Sequence, residues 1–162
     1  MASQLTSETP MHYLLDFSDL QALAIAQLAD IDDDQYLLIN LEGPCPAGTE
    51  LTKVGRWLTR QPKVVVGFST DQNNGLSVFV DVIASNPAEL NRILSQISAN
   101  PVSATVLVQV LRTTKNMPVQ DALTVESLAF STLQSGTEFA SWLQQYRKEH
   151  PEQTRGNPLD ES

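Results

Sequence analysis

Two short apolar runs stand out in the first half of the chain, Tyr36-Leu37-Leu38-Ile39-Asn40-Leu41 and Lys63-Val64-Val65-Val66-Gly67-Phe68, the second rich in β-branched residues. Neither alternates apolar with polar positions, the pattern of strands covered on both faces in a sheet flanked by helices. Between them Leu51, Val54 and Leu58 recur at helical spacing, which predicts a helix over 51–60. Upstream, Met11 to Phe17 reads as a first strand. Ser18-Asp19 then reads as the N-cap pair of a helix with one stripe, Leu20, Leu23, Ala24, Gln27 and Leu28, that stops in the acidic turn Asp30 to Asp34. The alternating Leu76 to Ile83 (LSVFVDVI), after the turn-forming Asp71-Gln72-Asn73-Asn74-Gly75, predicts a third strand. From Pro87 onward the periodicity is almost entirely helical. The pattern as a whole predicts an α/β layer followed by a helical C-terminal third.

Composition narrows the picture. At 162 residues with 41% hydrophobic content, the chain has material for one core of ordinary size. Nineteen acidic against ten basic side chains give a formal charge of −9, which repels nucleic-acid phosphates and anionic lipid head groups, so neither nucleic acid nor membrane is an expected partner. The lone cysteine, Cys45, has no intrachain disulfide partner, and no segment reaches the ~20 apolar residues of a membrane span. The expectation is a soluble, cytoplasmic protein with polar tails at 1–10 and 150–162.

The segment Glu89 to Lys148 carries a family likeness in the order and spacing of its landmarks. A helix ends in Ala99-Asn100-Pro101 and a second near Lys115-Asn116-Met117. A third opens at Val119-Gln120-Asp121-Ala122-Leu123, and Gly136-Thr137-Glu138-Phe139 leads into an amphipathic end. This resembles the closing helices of an enoyl-CoA hydratase/isomerase, or crotonase, subunit, in a shortened chain lacking much of the catalytic middle. The resemblance implies a single α/β domain over 11–149, a reduced crotonase-like strand/helix spiral (11–85) joined to C-terminal helices (86–149). Because the closing helices of crotonases pack on neighbouring subunits, it also implies a homo-oligomer, a trimer or a multiple of it. An acyl-CoA ligand and a full-length homologue are the partners that such ancestry suggests.

The family's chemistry maps onto one loop. Leu41-Glu42-Gly43-Pro44-Cys45-Pro46-Ala47-Gly48-Thr49-Glu50-Leu51 lies after a strand and before a helix, where crotonases carry a small-residue loop of the form Cys-Ala-Gly-Ala-Asp-Leu. There the N–H after the glycine helps hold the thioester oxygen as charge develops on it, so Gly48 and Thr49 are the candidate substrate-binding residues. Pro46 is an insertion relative to that pattern, and Thr49-Glu50 replaces Ala-Asp. The family's second donor sits in a Gly-rich turn. Here Ser69 to Gly75 contains no Gly-Gly-Gly element, and the paired glutamates that activate water and move the α-carbon proton have no equivalent. No catalytic residue is therefore assigned. Glu42, Glu50 and Asp71 read as solvated turn residues, and Asp81, inside an apparent strand, as a half-buried carboxylate. Where the family places a phosphate-binding lysine this chain has Val108, and Arg112 and Lys115 beyond it read as solvent-facing.

Other constellations fail. Asp30, Asp32 and Asp34 start like a calcium loop, but Gln35 and Leu41 occupy the glycine and closing glutamate positions. His12 and His150 lie at opposite ends of the chain, and with one cysteine they form no zinc spacing, so no metal and no cofactor is called for. Phe139, Trp142, Leu143 and Tyr146 form one helical stripe, the signature of core or interface packing. The functional expectation is a degenerate crotonase-like protein, non-catalytic, acting as an oligomeric accessory or acyl-thioester-binding module. A minimal acyl-CoA hydratase/isomerase with an oxyanion hole near Thr49 is the alternative, and a structural oligomer without ligand the third reading.

Overall fold

The computed structural model of the chain describes residues 14–26, 35–70 and 75–151. Several sequence readings lie outside them: positions 11–13 of the first strand, Gln27 and Leu28, the turn Asp30 to Asp34, Asp71 to Asn74, His12, and the tails at 1–10 and 152–162. The described chain is mixed α/β. It falls into two compact units, residues 1–112 and 113–162.

The first unit holds a parallel sheet of β1 (Tyr36–Asn40), β2 (Val64–Phe68) and β3 (Val82–Ala84), in the order β1-β2-β3. Tyr36 pairs with Val64 and Asn40 with Phe68; Val66 pairs with Val82. Leu15 adds a single parallel bridge to Ile39. The predicted first strand is thus reduced, within the described residues, to that bridge.

Both apolar runs are buried because each face of the sheet has its own helical cover. Leu37, Ile39, Leu41 and Val65 face α1 (Phe17–Ala26) and α2 (Thr49–Leu58), packing with Leu20, Val54 and Leu58. Leu38, Val64, Val66 and Phe68 face α3 (Pro87–Ala99) and α4 (Pro101–Thr114), packing with Leu90, Ile93, Leu94 and Val108. Alternate residues of one run thus feed two cores, as the pleat dictates. Gly67 points to the α1/α2 face, and a Cβ there would lie 2.5 Å from Leu41 Cδ1 and 3.3 Å from Val80 Cγ2. Its missing side chain is the space those two occupy.

Two local readings are corrected. The N-cap of α1 is Asp16, not Ser18-Asp19. Its Oδ1 accepts from the N–H of Ser18 (2.9 Å) and of Asp19 (3.1 Å), while Asp19 Oδ2 accepts from Asp16 N–H in return (3.1 Å). This is a reciprocal capping box with aspartate at its third position. Leu76 to Ile83 is not one strand. Gly75–Phe79 is a 3₁₀ helix and only Val82–Ala84 pairs in the sheet. Leu76, Phe79 and Val80 all join the α1/α2 core at i, i+3, i+4 spacing, while Val78 is 71% exposed. The helical period wins because Phe79 seats its ring against Gly55 of α2, where a Cβ would come within 2.6 Å.

α3 starts on a strong cap. Asn86 Oδ1 accepts from Glu89 N–H (2.9 Å), Glu89 Oε2 accepts from Ser85 N–H (3.0 Å), and Pro87 takes the first helical position. The second unit consists of α5 (Val119–Gln134) and α6 (Thr137–Glu149), which pack on each other. Phe139, Trp142 and Tyr146 stack along α6, with successive ring centroids 5.6 and 5.3 Å apart.

Candidate functional site

Parallel sheets present their chemistry at the carboxyl ends of the strands, where connecting loops converge. Here these are the loop after β1 (41–48) and the segment after β2, which begins at Ser69. The two are tied together. Thr70 donates from its N–H (3.2 Å) and its Oγ1 (3.0 Å) to Glu42 Oε1, and Glu42 N–H donates to Asn40 Oδ1 (3.0 Å). Gly75, at the start of the 3₁₀ helix, lies against the β1 loop as well: a Cβ there would sit 3.4 Å from Cys45 Sγ and 3.0 Å from Leu51.

Gly48 and Thr49, the predicted binding residues, form the entry to α2. Gly48 takes φ 85°, a left-handed conformation open to glycine at little cost, and its carbonyl accepts from Thr52 N–H (3.2 Å). Thr49 is the first residue of the helix, so its N–H belongs to the set a helix leaves without an internal acceptor. Both residues are exposed.

The nearby carboxylates are already engaged. Glu50 accepts from Lys53 Nζ (2.9 Å) and from Gln21 Nε2 of α1 (2.9 Å). The Lys53 hydrogen bond, then that of Gln21, holds its carboxyl below the usual range, so it is ionised at neutral pH and has no proton to give. Glu42 is exposed and serves as the tie to Thr70. Asp71 lies outside the described residues. Cys45 is half-buried; His12 is not described, and His150 lies in the second unit, stacked on Tyr146 at 4.3 Å. Among the described residues no three of His, Cys, Asp and Glu gather closely enough to hold a metal ion.

The other face of the sheet carries a feature that sequence reasoning half missed. Asp81 is indeed part-buried, but Arg112, expected to face solvent, is its partner. Arg112 Nε donates to Asp81 Oδ1 (2.8 Å) and Nη2 to Oδ2 (2.5 Å), with side-chain exposures of only 16% and 12%. The same guanidinium donates to the carbonyls of Gln61 (2.5 Å) and Lys63 (3.1 Å), which lead into β2. Asp81 Oδ2 also accepts from Val65 N–H (2.7 Å), so the carboxylate replaces the backbone acceptor that β3 does not yet supply at that rung. The one signal in the sequence is that Arg112 is the lone charged side chain in α4, otherwise apolar or neutral. An arginine on such a helix needs a partner if its face is covered.

Beside this pair opens a groove of about 510 Å³ between α3, α4 and the sheet edge, floored by Val64 and Val82 and walled by Ile93, Ile97, Val108 and Leu111. Gly48 and Thr49 belong to the opposite face of the sheet and take no part in it. Among the described residues no single helix is long and apolar enough to cross a membrane. No family model, curated protein or solved structure matches the chain.

Proposed function

We propose that the chain is a shortened crotonase-like protein, a reduced strand/helix spiral with closing helices, that has given up catalysis and serves as an oligomeric accessory module with affinity for acyl thioesters. The observation that carries the oligomeric part is the state of α5 and α6. Neither helix buries a single residue, while Val119, Leu123, Leu128, Phe130 and Trp142 are each more than half exposed. Apolar surface on this scale marks an association face. The loss of catalysis is supported by the occupied carboxylates: Glu50 is ionised and clamped, and Glu42 ties two loops. Neither can alternate as acid and base without giving up its contacts.

The test has two arms. Sedimentation of the full chain gives an oligomer, and the double substitution Leu123→Glu with Phe130→Glu lowers its mass. Calorimetric titration with acetyl-CoA and crotonyl-CoA gives heat, with no loss of the enoyl chromophore. An unaltered mass for the double variant refutes the association face. Absence of heat with both ligands removes the thioester and leaves a structural oligomer.

One observation favours the minimal-enzyme alternative. Gly75 lies against Cys45 of the β1 loop and Leu51 of α2, so its backbone and the N–H of Thr49 belong to neighbouring segments. Turnover that disappears in Thr49→Pro, which deletes the N–H, would establish that reading in place of the first; turnover unchanged by the substitution would remove Thr49 from it.

A further inference from the structure

We infer that α4 is a strap on the sheet, hinged at Asn100 and latched by Arg112, which opens as one unit while the strands beneath it stay folded. The hinge is built into the junction with α3. Pro101 has no N–H, so it cannot carry the hydrogen-bond ladder of α3 into α4, and the two axes turn through 105° there. Each helix closes its own end at Asn100: its N–H donates to the carbonyls of Gln96 and Ile97 (3.2 Å each), and its carbonyl accepts from Ala104 N–H (3.0 Å). Asn100 itself lies outside the helical region, at φ −140° and ψ 62°. A rotation about its backbone therefore swings α4 without breaking a turn of either helix.

Little apolar burial holds the strap down. α3 buries Leu90, Ile93, Leu94 and Ile97, whereas the 14 residues of α4 bury Val108 alone. Leu107 and Leu111 are 58% and 56% exposed, and the groove of about 510 Å³ runs between α4, α3 and the sheet, so the space beside α4 is not filled. Such a gap forfeits the dispersion contacts that bind a closely packed helix to its sheet. Lifting α3 would expose four core side chains; lifting α4 exposes one and widens a gap that is already open.

The hold is instead polar and concentrated within one turn. Gln109 Nε2 donates to the carbonyl of Gln61 (3.1 Å), and Arg112 grips the carbonyls of Gln61 and Lys63 together with both oxygens of Asp81. These acceptors belong to the segment entering β2 and to the residue before β3, so the latch lies at the end of α4 away from the hinge. Hydrogen bonds of this kind exchange for water at small net cost, provided that no partner stays buried when they part. With α4 lifted, Arg112 and the two carbonyls reach solvent, and Asp81, which lines the groove, keeps Val65 N–H (2.7 Å) as water enters beside it. The apolar strip of Val64, Val82, Ile93 and Ile97 is then uncovered along its length. Access to this face of the sheet is thus set by the state of the latch.

Amide hydrogen exchange of the full chain, followed by NMR over a series of low urea concentrations, is the test. The α4 amides from Thr105 to Arg112 are expected to exchange at least ~30-fold faster than those of β2, each relative to its intrinsic rate, and with little urea dependence because the opening exposes little surface. Ile39→Val, in the core on the opposite face of the sheet, is expected to speed the β2 amides roughly 5-fold and to leave α4 unchanged. Arg112→Met is expected to speed the α4 amides roughly 100-fold. One common protection for α4 and β2, moving together in Ile39→Val, overturns the inference and needs no latch variant to be seen. So does a weakly protected α4 whose exchange Arg112→Met leaves unaltered, because the hold then lies elsewhere.

Discussion

Replacing Arg112 by methionine keeps the apolar stem and removes the guanidinium, leaving Asp81 with Val65 N–H and no counter-charge at 12% exposure. Removing one partner of a buried pair costs about 3–5 kcal/mol, and the slight solvent access here places Arg112→Met near the lower end, about 3 kcal/mol. Asp81→Asn keeps an oxygen for Val65 N–H but leaves the guanidinium uncompensated, for a loss of about 2 kcal/mol. The double variant has no orphan charge, so its loss falls short of the sum by about 1.5 kcal/mol or more. Urea unfolding is the assay, in a Trp142→Phe background so that Trp57 reports the first unit alone. With a slope of about 1.5 kcal/mol/M, the Arg112→Met midpoint drops by about 2 M. Single losses below about 1 kcal/mol that simply add would refute the reasoning, because they are the behaviour of a solvated surface pair.

Two further outcomes follow from local geometry. Gly67→Ala forces Leu41 and Val80 to yield to a methyl group 2.5 Å from Leu41 Cδ1 and costs about 1–3 kcal/mol. Gly48→Ala, with nothing within 4 Å of the new Cβ, meets only the backbone strain of φ 85°, about 1–2 kcal/mol by the same urea assay. On the acid side, Asp16, Glu50 and Glu89 all titrate below their usual values of 3.8, 4.5 and 4.5, owing first to Ser18, Lys53 and Ser85 respectively. A depressed carboxyl stabilises the fold above its unfolded value and loses that contribution as pH falls through the folded one. The thermal midpoint should therefore hold from pH 7 to about 5 and fall below about 4.5, and less steeply in Glu89→Gln; identical acid limbs would remove Glu89 from the account.

The parts of the fold that were legible in the sequence are those fixed by local pattern. β1 and β2 lack alternation because both faces are covered, and α2 to α6 begin and end near the landmarks read from the sequence. Leu76 to Val80 was ambiguous, because LSVFV satisfies both a period of two and an i, i+3, i+4 spacing. Only the Phe79 ring against Gly55, a contact 24 residues away in the chain, decides between them. The Asp81–Arg112 pair spans 31 positions and has no local signature beyond a lone arginine on an apolar helix. Gly48 and Thr49 read as part of the loop before a helix at 51–60, and the structure starts that helix two residues earlier, at Thr49. That an apolar groove would open on the reverse of the sheet depends on α4 folding back at Asn100, which no short motif encodes.

β3 is only three residues long, and at the position before it Asp81 N–H donates to the Val65 carbonyl (2.9 Å) while the Asp81 carboxylate accepts from Val65 N–H. An invading strand finds almost no free amide ladder to copy there. So short an edge limits strand addition at this margin, a common route to fibrils for proteins that expose a sheet edge.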